Sequence, residues 1–579
     1  MTNNNSPFPP RGFPDKAGSY RKVLLVSWNR MGDLLQLTPI LNAFHHLHPT
    51  TEVHLSVARK FVDVANGIHH VAKILPFDFG EVLDQSRKPE ALVTLHQSLR
   101  SQIAALQTEQ YDLVVNLTHN RLTALFCHLL NAPETRGLIF DEFGYRAVRE
   151  PWSRYFFLAN LNRGQNRINL VDIQSGIAGF HPGEPLSFHV SDDVQSQVDE
   201  QIHRQGFASR TLVAIQTGAS QPNKEWTPAS FTEIAKRLVQ NGITPVWVGA
   251  ENELPRIEPL AKSVSGSWNA AGKTSVAELA ALLKRCRLLL TNDTGTMHVA
   301  VCMATPVISL NLGTPLSHET GPYQAGSRVM EATIPCYPCS FHVECLHYRC
   351  HEVLDVESVW TEVAAALQLP PGKGIANDVR VWTTGFDENG FWELIRDVPE
   401  YATPEELVAV VWAEVWKREL AHRPAVSTIS DSVDLRLQRE YIPSSIPEAV
   451  AKLSSRFAAL QHILNLLYDG IRDANLLCQC SSQRDFQQIV QLGEALEQID
   501  SEIHRIGIVH TVWRPLLSMF VSGKDALTGT QIEEIAPQTL QLYHDILRIG
   551  EQLFSELQRI ENSYGNRRKT TVITAAGVS

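Results

Sequence analysis

Residues 288–300 read Leu288-Leu289-Leu290-Thr291-Asn292-Asp293-Thr294-Gly295-Thr296-Met297-His298-Val299-Ala300, an apolar strand that stops in a polar turn and restarts as a helix. Such a turn leaves backbone N–H groups unpaired at the helix start, where the helix dipole favours an anion. The amides of Thr294 and Gly295 are therefore a candidate phosphate site. Gly295 would let a ligand approach the backbone closely, and His298 follows one turn in. The competing reading is an ordinary helix capped by Asp293 or Thr294.

Two other segments repeat the strand, turn and helix. Val23 to Leu35 (VLLVSWNRMGDLL) sets Asp33 at a helix start, with apolar Leu34, Leu37, Leu41 and Phe44 at helical spacing behind it. Val213 to Gly218 (VAIQTG) is followed by Lys224, Trp226 and a helix from about Pro228. It supplies the Thr217 hydroxyl, a flexible Gly218 and a cation, the set a diphosphate needs.

Around these segments, short β-rich runs alternate with helices from Lys22 to about Phe180, and the pattern resumes after HPGEPLSF (181–188) through TLVAIQ, TPVWVG, RLLLTN and TPVISL. Alternation of this kind predicts parallel, doubly wound sheets with ligands at the carboxyl ends of the strands. The expected class is α/β, a GT-B fold of two Rossmann-like domains over 21–185 and 186–369. Pro370-Pro371-Gly372-Lys373-Gly374 is the clearest linker signal. Residues 370–400 are read as that linker plus a β-hairpin turning near Glu388-Asn389-Gly390.

The remainder, 401–579, reads as a mainly α-helical domain. Val450, Leu453, Phe457, Leu460, Leu464, Leu467 and Ile471 repeat at 3,4 spacing after a capping-box-like Ser445-Ile446-Pro447-Glu448. Ile499, Ile503 and Ile506 give a second apolar face, and Ile546, Ile549, Leu553 and Ile560 a third. Short helices separated by Gly, Ser and Pro favour an antiparallel bundle over an intermolecular coiled coil. Its expected use is recruitment or homo-oligomerisation. The first 20 residues, rich in Asn, Pro and Gly, are expected to form a flexible arm.

A chain of 579 residues suggests three or four domains, and 44% hydrophobic residues suffice for several cores. A formal net charge of −11 gives no global attraction to nucleic acid, so no nucleic-acid partner is expected. No apolar run approaches the roughly 20 residues that cross a bilayer, and the N-terminus lacks a signal-peptide core. The expected location is cytoplasmic, with peripheral association at the inner membrane surface left open. Nine cysteines in such a chain are expected to be mostly reduced. Cys336, Cys339, Cys345 and Cys350 lie within 15 residues and could close around one tetrahedral ion, structural Zn or Fe. Free thiols and disulfides remain the alternatives.

The three segments together resemble glycosyltransferase family 9, the bacterial heptosyltransferases of lipopolysaccharide core assembly. The resemblance rests on R-M-G-D-L-L-Q-L-T-P from Arg30, T-G at Thr217 with K-x-W-T-P from Lys224, N-D-T-G-T-M-H-V-A from Asn292 and A-T-P-V-I-S-L from Ala304. It covers residues 20 to about 368. It implies an inverting transferase with Asp33 as general base. Thr217, Gly218, Lys224, Glu253, Asp293, Thr294, Gly295 and His298 would hold a nucleotide-diphosphate sugar, with Glu253 on the ribose. Glu251 is close enough to compete for that role, and His298 could equally face the core. Arg59, Lys60 and Arg121 would meet a phosphorylated acceptor or remain solvated charges. Similar cysteine groups occur at this place in the family, and related protein heptosyltransferases hold iron there.

No D-x-D triplet occurs, so no catalytic metal is expected. At a helix N-terminus the Asp33 carboxyl is expected to be pulled down, ionised but weakly basic. The expected reaction transfers heptose from ADP-heptose to lipopolysaccharide core or another surface glycan, lipid-linked or not. A protein acceptor of the adhesin or flagellin type, a nucleotide-sugar epimerase or hydrolase, and a non-enzymatic scaffold are the alternatives.

Overall fold

The computed structural model describes residues 20–88, 91–141, 144–341, 344–421 and 426–565; the N-terminal arm, Tyr20 apart, lies outside them. Lys22–Ser27 (β1), Glu52–Ala58 (β2), Lys73–Phe77 (β3), Leu113–Asn116 (β4) and Glu134–Gly137 (β5) form a sheet in the order β3-β2-β1-β4-β5. β1 pairs in parallel with both β2 and β4, and Val23 to Val26 are fully buried. Burial on both faces explains why these strands read as continuous apolar runs rather than alternating ones. The chain order reverses between β1 and β4, which opens a crevice at the carboxyl end of β1. Met31–Gln36 (α1) starts there.

Ile139–Phe140 (β6) and Arg146–Ala147 (β7) make a small antiparallel pair. The second large sheet contains Leu212–Gln216 (β8), Thr244–Val248 (β9), Trp268–Asn269 (β10), Cys286–Asn292 (β11), Val307–Asn311 (β12), Arg328–Ala332 (β13), Val379–Phe386 (β14) and Trp392–Arg396 (β15). Its order is β10-β9-β8-β11-β12-β13-β14-β15. The first six strands are parallel, and the order reverses between β8 and β11. Gly295–Cys302 (α2) begins just after β11. Two Rossmann-like sheets, as expected of GT-B, thus present one switch point each.

The linker reading of 370–400 is corrected. β14 and β15 pair antiparallel with β13 and with each other, extending the second sheet instead of leaving it. Trp382, Trp392 and Leu394 are buried there, and the Asp172 carboxylate accepts from Trp392 N at 3.1 Å and from the Tyr323 hydroxyl at 2.5 Å. The hairpin does turn where expected. The Asp387 carboxylate accepts from Asn389 N and Phe391 N, and Gly390 adopts φ +83°, which favours glycine.

The domain boundaries also move. Among the described residues, one compact unit is 20–135 plus Ile168–Asp397; the other is Arg136–Arg167 plus 398–565. The helix Pro151–Leu161, read as part of the first α/β domain, therefore belongs to the helical unit. Its Trp152 indole donates to the Leu420 carbonyl at 3.1 Å, and its Tyr155 ring lies 5.3 Å from that of Trp416. Both partners sit on Pro404–Leu420 (α3), a helix apolar on most sides and buried accordingly.

The rest of the helical unit contains Phe457–Gln483 (α4), Phe486–Val509 (α5), Arg514–Asp525 (α6) and Ile532–Ile560 (α7). The 3,4 ladder is not one helix: Val450 and Leu453 lie on Ile446–Ser454, and the chain breaks before α4 begins at Phe457. Leu460, Leu464 and Leu467 are buried while Ile471 is only half so. A Cβ on Gly470 would come 2.1 Å from the Tyr543 ring, and one on Gly550 would come 2.7 Å from Leu464. Rising numbers on α4 thus meet falling numbers on α7, an antiparallel crossing within one chain. Ile546, Ile549, Leu553 and Ile560 on α7 and Ile503 and Ile506 on α5 are buried.

Candidate active site

The N-terminal ends of α1 and α2 meet through two glycines. A Cβ on Gly32 would lie 2.9 Å from His298 Cδ2, and one on Gly295 would lie 2.4 Å from Met31 Cε. These glycines permit helix-to-helix approach, which the sequence reading had assigned at Gly295 to ligand approach. His298 is buried, with Nε2 3.2 Å from Gln36 Nε2. Burial pushes its imidazole down to about 4, so it is neutral and ties α2 to α1 in the core-facing position.

The start of α2 is not an ordinary capped end. Thr294 is the N-cap residue, with extended φ −144° and ψ 167°, yet no side chain caps the first turn. The first-turn amides at this end are thus not taken by the Thr294 side chain. The Thr294 hydroxyl turns instead toward the Thr291 hydroxyl, 3.2 Å away.

Asp33 stands at the third position of α1, half-buried, its carboxylate accepting from Arg30 N at 2.8 Å. Burial holds this carboxyl above the ordinary carboxylate range, against the Arg30 N–H and guanidinium that pull it down. The expectation of a depressed value is thereby corrected: desolvation outweighs the helix end. Asp293, whose carboxylate accepts from the Thr320 hydroxyl at 3.1 Å, is also raised by burial. The Lys224 ammonium and Arg30 guanidinium act on it in the opposite direction. Arg30 is thus a cation shared by Asp33 and Asp293. It stood inside the quoted R-M-G-D-L-L motif without being assigned a role.

Asn292 was missed in the same way. Its side-chain amide donates to the Thr217 carbonyl at 2.8 Å and the Gly218 carbonyl at 3.2 Å, while its oxygen accepts from Trp226 N at 3.1 Å. One buried side chain at the end of β11 thereby fixes the loop after β8. Lys224, buried at the end of the turn Pro222–Lys224, is delivered by that loop. Of the two competing carboxylates, Glu251 is exposed and Glu253 half-buried. A Cβ on Gly218 would fall 1.5 Å from Glu253 Oε1, so Gly218 exists to admit this carboxylate at the strand ends. Glu253 also accepts from Ala250 N at 2.7 Å and from Gln216 Nε2 at 3.3 Å.

Arg59, Lys60 and Arg121 are exposed and follow the carboxyl ends of β2 and β4. Arg59 Nε lies 3.3 Å from Asp78 Oδ2, and Lys60 Nζ lies 4.8 Å above the Phe61 ring. Among the described residues no hydrogen bond or ion pair joins any of the three to Asp33 or Asp293.

Residues 99–349 match the model of glycosyltransferase family 9 (heptosyltransferase). The chain is 25% identical over 286 residues to lipopolysaccharide heptosyltransferase 3 of Escherichia coli K12, covering 48% of this chain and 79% of that protein. It is 24% identical over 322 residues to lipopolysaccharide heptosyltransferase 1 of Pseudomonas aeruginosa, covering 55% and 86%. This chain is a glycosyltransferase, similar to family 9 heptosyltransferases over residues 99–349. Among solved structures, the family 9 glycosyl transferase from Veillonella parvula aligns at 20% identity and TM-score 0.49, over 60% of this chain and 97% of that one. The region of this glycosyltransferase that matches the family model contains every donor-side candidate, from Thr217 to His298, but not Asp33.

The same region of the glycosyltransferase contains three of the four clustered cysteines. All four are free, Cys336 exposed and Cys350 buried. Burial raises the Cys339 thiol, and the thiols of Cys345, Cys350 and Cys336 add to the effect. Cys339 N donates to the Gly313 carbonyl at 2.7 Å, and Tyr348 N donates to Cys345 Sγ at 3.4 Å. Among the described residues no three metal-ligating side chains stand close enough to hold an ion.

Proposed function

We propose that this glycosyltransferase moves heptose from ADP-heptose onto lipopolysaccharide core in a single inverting displacement, with Asp33 as the base. The observation that supports this reading is the Gly32–Gly295 crossing, which sets Asp33 on α1 beside the uncapped start of α2. The donor diphosphate lies on the Thr294 and Gly295 amides, with Lys224 and the Thr217 hydroxyl neutralising the charge that grows as it departs. Glu253 receives the ribose hydroxyls, and Asp293 orients the sugar. The acceptor oxygen attacks the anomeric carbon from the face opposite the diphosphate. As the carbon–oxygen bond to the diphosphate breaks, that electron pair leaves on the diphosphate and Asp33 takes the acceptor proton. A carboxyl held above its usual range is better matched to this task than an ordinary aspartate.

The relatives named above are lipopolysaccharide heptosyltransferases, which supports the choice of sugar and acceptor class. A panel of nucleotide sugars tests the donor: ADP-heptose should raise the melting temperature and the corresponding uridine sugars should not. NMR of the transferred sugar should then show the opposite anomeric configuration to the donor. Retained configuration, or donor hydrolysis that is indifferent to acceptor, would overturn the proposal.

A further inference from the structure

The unit made of Arg136–Arg167 and the chain from Val398 carries an open-sided hollow of about 860 Å³ lined by none of the donor or acceptor candidates. One wall is the helix Pro151–Leu161 with the strand β7 before it; the other is α6 with the end of α5. On α6 the lining positions Arg514, Leu517, Ser518, Val521, Ser522 and Asp525 recur at helical spacing, so one face looks into the cavity along its whole length. Gly507 lets α5 close the end, since a Cβ there would sit 2.4 Å from Leu517.

The lining has two chemistries. Phe157, Leu161, Ile508 and Val521 make it aliphatic and aromatic, and Leu161 and Ile508 remain 59% and 61% exposed. Arg146, Arg154 and Arg514 line it with the carboxylate of Asp525, and Arg154, which is buried, already has the carboxyls of Glu150 and Asp545 acting on it. Arg146 and Arg514 are exposed and take no carboxylate partner among the described residues. On a chain of net charge −11, two exposed arginines at the edge of an apolar hollow favour a negatively charged ligand there. Guanidinium groups suit phosphate, and the volume lies within the range of small-molecule sites.

We propose that this cavity binds an amphiphilic anion, a single aliphatic chain ending in a phosphate, with the chain along α6 and the phosphate on the arginines. The inference is independent of the transferase reading, and its test contains no sugar donor. The probe is oleoyl lysophosphatidic acid, titrated below its micellar concentration into the whole protein and followed by calorimetry. One saturable site per chain is expected. The double variant Arg146→Ala, Arg514→Ala should weaken it by about tenfold or more, since each removes a charge-assisted contact. Ser518→Trp should fill the cavity and abolish binding. The exposed arginine pair keeps the test decisive if the tryptophan variant fails to fold. Inorganic phosphate alone should not compete at millimolar concentration, and uncharged monoolein should bind far more weakly. Absence of a saturable site, equal binding of monoolein, equal binding of free phosphate or indifference to the arginine variant would each overturn the proposal. So would self-association of the chain that Ser518→Trp abolishes without any lipid binding, which would give the cavity to a second copy.

Discussion

Asp33 and Arg30 show how three residues of separation settle a proton. The Arg30 N–H and guanidinium stabilise the Asp33 carboxylate, and burial opposes them and wins. Two consequences follow for Asp33→Asn. Transfer should fall by about 10²–10⁴-fold with nucleotide affinity within a few-fold, because the base is lost and the diphosphate site is not. The native rate should decline on the acid side at a pH above the usual carboxylate range. Stability carries the opposite sign. A carboxyl raised in the folded state costs stability as pH rises from its unfolded value through its folded one. The asparagine variant should therefore melt higher than the native chain at neutral pH, and the difference should close in acid. Equal losses of binding and turnover, with no gain in melting temperature, would make Asp33 a structural cap. The residue itself was legible in the sequence because Gly32 and Asp33 stand in a strand-turn-helix motif. The sign of its shift was not, since burial depends on elements far away in the chain. Glu253 was separable from Glu251 only once Gly218 showed which carboxylate fills the space above it.

At the scale of elements, the site is a crossing of two short helices, and its glycines answer to each other. Gly32→Ala would press a methyl against the packed His298 ring, whereas Gly295→Ala would meet only the flexible end of Met31. The first should cut kcat sharply and the second should be mild, both read by steady-state kinetics beside melting curves; equal effects would break the asymmetry argument. The alternation of strands and helices made the centres of both sheets legible, because β1, β2, β4, β8, β9, β11 and β12 carry their own buried runs, whereas β5 (ETRG) and β10 (WN) at the sheet edges do not. The Pro-Gly stretch at 370–374 misled because it marks a turn between the helix Val356–Leu367 and an added hairpin, not an exit from the sheet. We further propose that Cys336, Cys339, Cys345 and Cys350 draw together around one structural Zn or Fe only on loading, since four thiols within 15 residues can reach one tetrahedral ion. Elemental analysis should find one ion per chain, and Cys339→Ser with Cys345→Ser should lose it together with several degrees of melting temperature. Four titratable thiols and unchanged melting would end that proposal.

Over the whole molecule, the two units are interleaved along the chain, because Arg136–Arg167 leaves the α/β unit to join helices that begin more than 200 residues later. No local pattern announces this. Pro151–Leu161 reads as one more helix of a Rossmann-like domain, and only Trp152 and Tyr155, packed on α3, show otherwise. The consequence for dissection is specific. A cut after Gly374 removes β14 and β15 and strips Trp382, Trp392 and Leu394 from the sheet edge that β13 then exposes. A cut after Asp397 keeps the sheet but leaves Trp152 and Tyr155 without α3. Unpaired sheet edges and exposed aromatic faces both promote aggregation. Fragment 1–374 should therefore be insoluble. Fragment 1–397 should be prone to aggregate and be rescued by co-expression with 398–579, as measured by gel filtration and by the melting shift with nucleotide sugar. If 1–374 proves monomeric and donor-binding on its own, the sheet ends at β13 in energetic terms, the hairpin is an appendage and the helical unit a separable module.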